Sequence, residues 1–584
     1  MNPETPPLQG FLVSFSDAAP SKGWPAAELV GDCAVWFHGY LAEPARLRTE
    51  LGLDRRASAG QIVSAAWRSW RAEVTERVVG EYAAVLATGS DAVVVGDRMG
   101  LRPLYIATHP PGVVVSTDLG VLARETVAWR DVDEEYLADL LAAGIHLGPR
   151  TPFRNIRRLG MGESAAWSGG RLTVAGGWRP PTTPIAGSRR EHEELLRTTV
   201  DGAVAGALSA GGVQVVELSG GLDTSTVFAV AAKQVPVDAV SFVHPGSPGS
   251  DETEWIQAAL RTTPARWHPI DATEHEIFAA GPEFGTFLAA PSRRILNWAS
   301  SAAEDEVARR LGASTILTGE GGDAVFLAGL LPWYLADLLR TGRWASLRKQ
   351  LPRWGAQSEV RRSTGFWLRR AAYDGWRRWR DGRTVTLHPP RPLSATAPWL
   401  ARSYVEGSRL QDRTDRTTSL RATSVHGQAV LENVVRCAEF ARSRHVIASG
   451  TADTRHPLLA PALVDLALRT PWEVAVDPRI DRAVQRYAFA GVVDDAVLRR
   501  RSKTVADEAV VNGYRRHPSW REHLGDSPLV VQRGYVEAGA WRSALRGVGR
   551  SGAVAQLYSA IQVEVWLRHL DYAGAPAHLE ARQQ

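Results

Sequence analysis

Cysteine is scarce in this sequence, and long apolar runs are absent from it. The 584 residues include two cysteines, Cys33 and Cys437, which are too few for a disulfide framework or for a zinc site of their own. No apolar stretch approaches the roughly 20 residues that a membrane-spanning helix needs, and the N-terminus lacks the basic and apolar segments of a signal peptide. The sequence therefore predicts a cytoplasmic protein without a membrane span.

Lysine is also rare, with four residues against a large excess of arginine. Such a bias is typical of a GC-rich genome, and it makes a lysine in a candidate site informative because arginine is the common cation elsewhere in the chain. The formal net charge of +5 is modest for this length. Nucleic-acid binding would need a local basic patch rather than a global charge, so we expect no nucleic-acid partner.

The pattern of short apolar runs divides the chain into two parts. Residues 1–180 contain brief alternating runs separated by turn residues, which predict a β-rich domain. A segment rich in proline and threonine follows, and from residue 188 onward β-like and helix-like segments alternate. This alternation favours an α/β fold, in which a doubly wound parallel sheet binds its ligand at the carboxyl ends of the strands. Residues 327–430 are mostly helix-like and rich in tryptophan and arginine.

A glycine turn, SGGLDT at 219–224, lies between a strand-like run and a helix-like segment. Gly220 and Gly221 let the backbone approach an anion closely, and the N-terminus of the following helix attracts that anion. The turn lacks the Gly-Lys-Ser/Thr ending of a Walker loop, and it has instead the form of a loop that binds pyrophosphate. Asp223 lies where a carboxylate could hold Mg²⁺ against bound phosphates.

A second glycine turn, GEGGD at 319–323, follows another strand-like run about 100 residues later. A single turn of this kind is often an ordinary loop, but two such turns that each end in aspartate favour one site at the carboxyl edge of a sheet. We expect Asp223 and Asp323 to share one Mg²⁺ and Glu320 to face the same cleft. The predicted residues for ATP and pyrophosphate are Leu218, Ser219, Gly220, Gly221, Asp223, Thr224 and Ser225 from the first turn, with Gly319 and Gly321 from the second.

These motifs, together with SDE at 250–252, resemble the synthetase domain of the asparagine synthetase family. GEYAAV at 80–85 and GDRMGLRPLY at 96–105 resemble the glutamine amidotransferase domain of that family, and DTRHPLL at 453–459 and RRRSK at 499–503 match its C-terminal pattern. The resemblance implies a β-rich Ntn-type sandwich over 1–180 and an ATP-pyrophosphatase synthetase domain over 188–584. It also implies ATP and Mg²⁺ as cofactors, with 327–430 as a peptide-binding region added to the second domain.

One departure from the family pattern concerns the source of the amine. Members that hydrolyse glutamine need cysteine as their second residue, and this chain has Asn2 there. We therefore expect a degenerate glutaminase-like domain that supplies no ammonia. Glu320 matches the glutamate of amide-forming members, whereas β-lactam synthetases of similar sequence have tyrosine. The length and the tryptophan content of 327–430 favour a lasso-peptide macrolactam synthetase. A β-lactam or other small-molecule amide synthetase, and an ammonia-dependent asparagine synthetase, remain alternatives.

The expected reaction has two steps. The side-chain carboxylate of an Asp or Glu in a precursor peptide is adenylated, and the N-terminal amine of the peptide then displaces AMP. The resemblance implies that Lys503 stabilises charge on the leaving pyrophosphate, and that Glu320 acts as base or orients the amine. The expected partners are the core peptide, a leader peptidase and a leader-recognition protein.

Several further residues stay open at this stage. Asp251 is either a helix cap or a contact for ribose, adenine or metal. Arg293 and Arg294 are candidates to contact phosphate or a peptide carboxylate. His456 is expected to pack near the nucleotide, and the helix-like segment Phe366–Arg380 either packs on a core or presents a docking face.

Overall fold

The fold was analysed in a computed structural model of the chain. It describes residues 10–16, 19–109, 112–208, 211–245, 247, 250–281, 286–328, 332, 334–356, 362–381, 397–410, 420–422, 424–446, 452–501, 512–517, 524, 527–546 and 554–574. Asn2 and Lys503, on which two of the expectations above depend, lie outside these residues.

The described strands and helices have the following bounds. The strands are β1 Leu12–Ser16, β2 Ala19–Trp24, β3 Glu28–Val30, β4 Cys33–Leu41, β5 Gly80–Thr88, β6 Asp91–Gly96, β7 Tyr105–His109, β8 Gly112–Ser116, β9 Ile156–Arg158, β10 Glu163–Ser168, β11 Arg171–Gly176, β12 Val213–Glu217, β13 Asp238–Val243, β14 Arg266–Asp271, β15 Ala313–Leu317 and β16 Asp453–Arg455. The α-helices are α1 Pro44–Glu50, α2 Ala59–Trp70, α3 Val74–Arg77, α4 Leu119–Glu125, α5 Glu134–Ala143, α6 Arg189–Ala207, α7 Leu222–Gln234, α8 Thr253–Thr262, α9 Trp298–Leu311, α10 Gly322–Val325, α11 Tyr334–Arg340, α12 Trp344–Gly355, α13 Thr364–Asp381, α14 Arg402–Gly407, α15 Val425–Arg442, α16 Pro461–Arg469, α17 Trp472–Ala475, α18 Ala483–Ala488, α19 Asp495–Arg499, α20 Leu529–Gln532, α21 Ala538–Arg546 and α22 Val554–Gly574. None of them is long and apolar enough to cross a membrane.

The N-terminal part is a sandwich of two antiparallel sheets. One sheet has the order β2-β1-β8-β7-β9, and the other has the order β11-β10-β6-β5-β4-β3. Val13, Val85 and Val94 lie in the core between the sheets. The outer face of the second sheet is covered by helices, with Ile62 and Val63 of α2 in that layer. Because both faces of β5 are covered, this strand reads as a continuous apolar run rather than an alternating one. The predicted β-rich domain is confirmed.

The C-terminal part is built on a parallel sheet with the order β14-β13-β12-β15-β16. All four strand pairs run parallel. From β12 the chain adds β13 and β14 on one side and then returns to place β15 on the other side. The point where the order reverses therefore lies between β12 and β15, and ligands of doubly wound sheets bind at this kind of position. The predicted α/β fold is confirmed, and the turns that follow β12 and β15 meet at this edge.

Helices α11, α12 and α13 form a separate apolar cluster beside the sheet. Trp354 is fully buried and donates through Nε1 to the hydroxyl of Tyr334 at 2.8 Å. In α13, which covers the predicted helix-like segment Phe366–Arg380, Trp367 is buried on this cluster while Trp376 is exposed. The helix thus packs one face on a core and leaves the other face aromatic and accessible.

Charged side chains join the two parts of the chain. Arg158 of β9 makes a bidentate contact with Glu439 of α15, at 2.7 Å from each carboxylate oxygen. Within GDRMGLRPLY, Arg98 pairs with Asp465 at 2.7 Å, and Arg102 pairs with Asp453. This motif therefore holds the sandwich against the synthetase part.

Candidate active site

The first glycine turn is closed by hydrogen bonds around Thr224. The Thr224 hydroxyl oxygen accepts from the backbone N–H of Ser219 at 3.2 Å, lies 3.1 Å from the Ser219 hydroxyl, and donates to the carbonyl of Gly221 at 3.3 Å. Gly220 has φ +72°, and a Cβ there would lie 2.7 Å from the Cβ of Trp255 on α8. Only glycine fits this position, because it combines left-handed backbone with no space for a side chain.

The second glycine turn lies directly on the first. A Cβ at Gly319 would lie 2.8 Å from the backbone nitrogen of Thr224, and a Cβ at Gly322 would overlap the carboxyl group of Asp223. The two turns therefore touch through glycines, as the shared sheet edge predicts. This contact brings the side chains of both turns into one cleft.

Asp223 and Asp323 converge on one guanidinium group. Nη1 of Arg482 lies 2.8 Å from Oδ2 of Asp223 and 3.1 Å from Oδ1 of Asp323. The Gln485 amide also donates to Asp223 at 3.0 Å. Arg482 itself has φ +51°, a conformation that non-glycine residues seldom adopt and that is held by its surroundings. One positive charge thus contacts both carboxylates that the sequence assigns to Mg²⁺.

The acidic pair fits a magnesium ion that also binds phosphate. Carboxylate oxygens are ligands that Mg²⁺ prefers, and the ion usually takes one or two of them together with phosphate oxygens and water. Among the residues that the structure describes, no group of three or more metal-ligating side chains occurs. Asp223 and Asp323 would therefore hold the ion jointly with ATP rather than as a complete protein cage.

Glu320 lies between a cation and an imidazole. Its Oε1 accepts from Nε of Arg444 at 3.3 Å, and its Oε2 lies 3.5 Å from Nε2 of His456. The other ring nitrogen of His456 lies 3.3 Å from Glu81, and the His456 backbone N–H donates to the same carboxylate at 2.6 Å. Burial alone would raise the pKa of Glu81, but the contacts with His456 lower it. Glu81 of the GEYAAV motif is thus connected to Glu320 through His456.

Two more carboxyl groups lie behind Glu320. Nη1 of Arg444 is 2.5 Å from Glu217, at the end of β12, and 3.9 Å from Glu304 of α9. Burial and the neighbouring Glu217 raise the pKa of Glu304 to about 8. Burial also opposes the charge on Glu217, but Arg444 lowers the pKa of that group. The two carboxyl groups therefore oppose each other's ionisation, because like charges that share one site disfavour each other.

A cavity of about 790 Å³ connects these groups to the sandwich. Its lining includes both glycine turns and continues to Tyr105, Tyr136 and His146 of the N-terminal part. The predicted site residues on its lining are Leu218, Ser219, Asp223, Thr224, Gly319, Glu320, Gly321 and Asp323.

Other predicted residues have different positions. Ser225 is buried at the start of α7, and Gly220 and Gly221 form the turn itself. Asp251 accepts from the backbone N–H of Thr253 at 3.1 Å, but the N-cap residue of α8 is Glu252, so Asp251 lies one residue before the predicted cap position. Lys503 lies outside the described residues. The sequence analysis did not identify Arg482, Arg444 or Glu304, and it assigned His456 to packing near the nucleotide rather than to Glu320. No motif marked Arg482, Arg444 or Glu304, because only the fold brings them to the glycine turns.

Comparison with known proteins agrees with this arrangement. Residues 195–568 match the asparagine synthase family, and residues 14–177 match the glutamine amidotransferase domain family. A curated relative, the carboxyethyl-arginine beta-lactam-synthase of Streptomyces clavuligerus, is 28% identical over 207 residues, which are 35% of this chain and 38% of the relative. The match thus spans well under half of that relative.

Two solved structures show weaker similarity. A glutamine phosphoribosylpyrophosphate amidotransferase from B. subtilis, solved with ADP and GMP, is 11% identical, with a TM-score of 0.23, and covers 54% of this chain and 85% of its own. A structure titled as the allosteric regulatory enzyme of purine biosynthesis is 12% identical, with a TM-score of 0.22, and covers 53% of this chain and 83% of its own. Scores this low carry no weight for the fold. The family matches do, because one of them spans well over half of the sequence. The chain therefore belongs to the asparagine synthase family.

Proposed function

We propose that this protein forms the macrolactam ring of a ribosomal lasso precursor peptide. The side-chain carboxylate of an Asp or Glu attacks the α-phosphate of ATP and releases pyrophosphate. The N-terminal amine of the same peptide then attacks the acyl-adenylate, and AMP leaves with the formation of an isopeptide bond. The observation that carries the proposal is the position of Glu320, on the lining of one cavity with the glycine turns and both aspartates.

The first step depends on charge neutralisation at the glycine turns. The turn at 219–224 would bind the departing pyrophosphate at the N-terminus of α7, where backbone N–H groups and the helix dipole favour an anion. A magnesium ion held by Asp223 and Asp323 would supply further positive charge to the phosphates. Arg482 touches both aspartates and keeps their side chains turned into the cleft. Lys503 remains a predicted stabiliser of the leaving pyrophosphate.

The second step needs a group that receives a proton from the amine. An N-terminal amine is mostly protonated near neutral pH, so it must lose a proton before or during its attack. Glu320 faces the cavity with Arg444 and His456 against its two oxygens, which fixes its orientation. We propose Glu320 as the carboxylate that orients the amine and accepts its proton. Holding amine and acyl-adenylate together removes much of the entropy cost of ring closure.

A peptide amine is favoured over ammonia from glutamine because of the place of Cys33. The chain has two cysteines, and Cys33 is the one in the N-terminal part. It is buried in the layer between β4 and the covering helices. It does not line the cavity, and its thiol faces the carbonyl of Ala34 at 3.8 Å. A thiol in this position cannot meet glutamine. The proposed partners are accordingly the core peptide, a leader peptidase and a leader-recognition protein.

The curated relative supports a second candidate function. A β-lactam or other small-molecule amide synthetase of the same fold would use the same adenylation chemistry, and the relative is named for carboxyethyl-arginine and a β-lactam. This chain has glutamate at position 320, whereas β-lactam synthetases have tyrosine at the corresponding position. Ammonia-dependent asparagine synthesis is the third candidate.

Pyrophosphate release separates these functions. The purified chain is supplied with ATP and Mg²⁺ and then with a linear core peptide encoded beside its gene, with carboxyethyl-arginine, or with aspartate and ammonia. We expect release with the peptide and a product lighter by one water. Stimulation by aspartate and ammonia, with none by the peptide, would remove the lasso assignment.

The Glu320→Gln variant tests the assignment of roles. We expect it to retain peptide-dependent pyrophosphate release and to lose the cyclic product, because glutamine cannot accept the proton. Glu306→Gln, on the exposed face of α9, is the matched control and should behave as the unaltered chain. An unchanged yield of cyclic product from Glu320→Gln would show that this carboxylate has no role in the second step.

A further inference from the structure

The cavity has an end that the proposed chemistry does not use. It lies between the sandwich and the synthetase part, where α5 ends at Gly144 with φ +71°. Nη2 of Arg293 lies 3.5 Å from the position of a Cβ on Gly144. The guanidinium of Arg293 therefore crosses from the synthetase part to the sandwich and forms part of this end of the cavity.

Six arginines line the cavity, and two of them differ from the others. Four have carboxylate partners within 4 Å, namely Arg150, Arg158, Arg442 and Arg444. Arg293 and Arg436 have no such partner among the described residues. Arg436 is half-buried and Arg293 is exposed, and the protein around them lowers the pKa of each guanidinium. Glu432, one turn before Arg436 on α15, offsets that effect only in part.

Besides the surrounding protein, the like charge of Arg436 lowers the pKa of Arg293, so the two guanidinium groups disfavour each other. Two guanidinium groups that face one cavity in this way form a site for an anion.

An orphaned amide points to the same ligand. Gln562 of α22 is 1% exposed and lines the cavity, and its Nε2 has no hydrogen-bond partner in the described part of the chain. Buried donors are nearly always satisfied in folded proteins, so an unsatisfied one indicates a missing acceptor. Gln562 and both arginines are donors, and a carboxylate accepts from all of them.

We propose that this end of the cavity binds a second carboxylate of the substrate through Arg293, Arg436 and Gln562. The carboxyl group to be adenylated then lies at the glycine turns, and the substrate spans the cavity between the two points. Tyr136 and the exposed ring of Phe440 also line this cavity, and aromatic rings suit an organic chain rather than a phosphate. The inference rests on the proposed ligase function, since it names a second anchoring point on the same substrate.

Binding of glutarate, a small dicarboxylate, tests the site directly. Calorimetric titration is carried out with the nucleotide site filled by α,β-methylene-ATP and Mg²⁺. We expect Arg293→Met, Arg436→Met and Gln562→Leu each to weaken glutarate binding, by roughly tenfold for either arginine, because a charged hydrogen bond is lost. Arg309→Met, in an exposed ion pair on α9, should bind glutarate as the unaltered chain does. Neutral glutaramide should not bind.

The same variants must keep their affinity for the nucleotide analogue and their thermal stability. Neither guanidinium is fully buried or paired with a carboxylate among the described residues, so its removal should leave the melting temperature nearly unchanged. Equal glutarate affinity in the variants and the unaltered chain would overturn the proposal. So would a lower melting temperature in both arginine variants, because the guanidinium groups would then be structural.

The outcome for this site is separable from that of the ligase function. If glutarate binding depends on Arg293 and Arg436 but no core peptide is ever cyclised, the carboxylate site stands and the lasso assignment fails. If the peptide is cyclised and Arg293→Met leaves its KM unchanged, the carboxylate site fails alone.

Discussion

The contact between the two glycine turns can be tested with one added carbon atom. In Gly319→Ala, the new Cβ would lie 2.8 Å from the backbone nitrogen of Thr224 and 2.7 Å from its Cγ2. Ordinary contact begins at 3.4 Å, so the turns must separate by about 0.6 Å. The backbone of Gly319 is not in the left-handed region, and alanine therefore adds only this steric conflict.

The expected cost follows from that displacement. Overpacking of this size destabilises a protein by roughly 1–3 kcal/mol. A displacement near 1 Å in a catalytic arrangement lowers rates by about a hundredfold, so we expect the rate of ATP–pyrophosphate exchange to fall at least about tenfold. Gly202→Ala, on an exposed turn of α6 with nothing within 4 Å of the new Cβ, is the control. It should keep the full exchange rate and stabilise the helix by up to about 1 kcal/mol.

A second substitution shows which atom is responsible. Thr224→Ser, combined with Gly319→Ala, removes Cγ2 but leaves the backbone nitrogen in place. We expect no recovery of exchange, because the backbone cannot rotate away. If Gly319→Ala alone keeps the exchange rate and melting temperature of the unaltered chain, the two turns are not in contact and the shared site is refuted.

Three further predictions concern ionisation and the sandwich. Arg158→Met should lower the free energy of unfolding by roughly 3–5 kcal/mol by leaving Glu439 buried with less compensation. Burial would raise the pKa of Glu439, but two arginines lower it from 4.5 to about 2. The stability that this ion pair contributes is therefore present above pH 4.5 and lost as the pH falls toward 2. Acid unfolding followed by fluorescence should start at a higher pH in the variant, and coincident unfolding curves would contradict this. Burial and Glu217 raise the pKa of Glu304 from 4.5 to about 8, so the protonated carboxyl group favours the folded state at low pH, and this contribution is lost as the pH rises from 4.5 to 8. Glu304→Gln should make the melting temperature less dependent on pH between 4.5 and 8, whereas Glu306→Gln should not. An unaltered pH profile in Glu304→Gln would contradict this prediction. Cys33→Ala should leave cyclic product unchanged, since a buried thiol takes no part, and a lost activity without a lower melting temperature would disprove that.

The elements that carry the turns were predictable because their signals are local. The run Val213–Leu218 corresponds to β12, Val213–Glu217, and the run at 315–317 lies within β15, Ala313–Leu317. Each is apolar because both faces of a parallel sheet are covered. The glycines after them follow from the geometry of an anion-binding turn. The sequence pattern was therefore sufficient to predict the parallel sheet, the edge at which its ligand binds and the convergence of the two glycine turns at that edge.

The residues that surround Glu320 could not be predicted, because their positions depend on contacts between distant segments. Arg444 reaches Glu320 across 124 residues, and Arg482 reaches Asp223 across 259. Arginine is so common in this chain that no single one is conspicuous. Local propensity also gives no signal for an imidazole or carboxyl group whose partner lies in another domain.

The link between Glu81, His456 and Glu320 joins the sandwich directly to the candidate active site. Glu81 is 3% exposed and accepts from both the backbone and the ring of His456. Without that carboxylate, a buried N–H and a buried imidazole beside Glu320 would lose their acceptor, which is costly in a medium of low dielectric. The sandwich also supplies part of the wall of the cavity that the glycine turns line. It is therefore part of the candidate site, and its contacts there are structural and electrostatic.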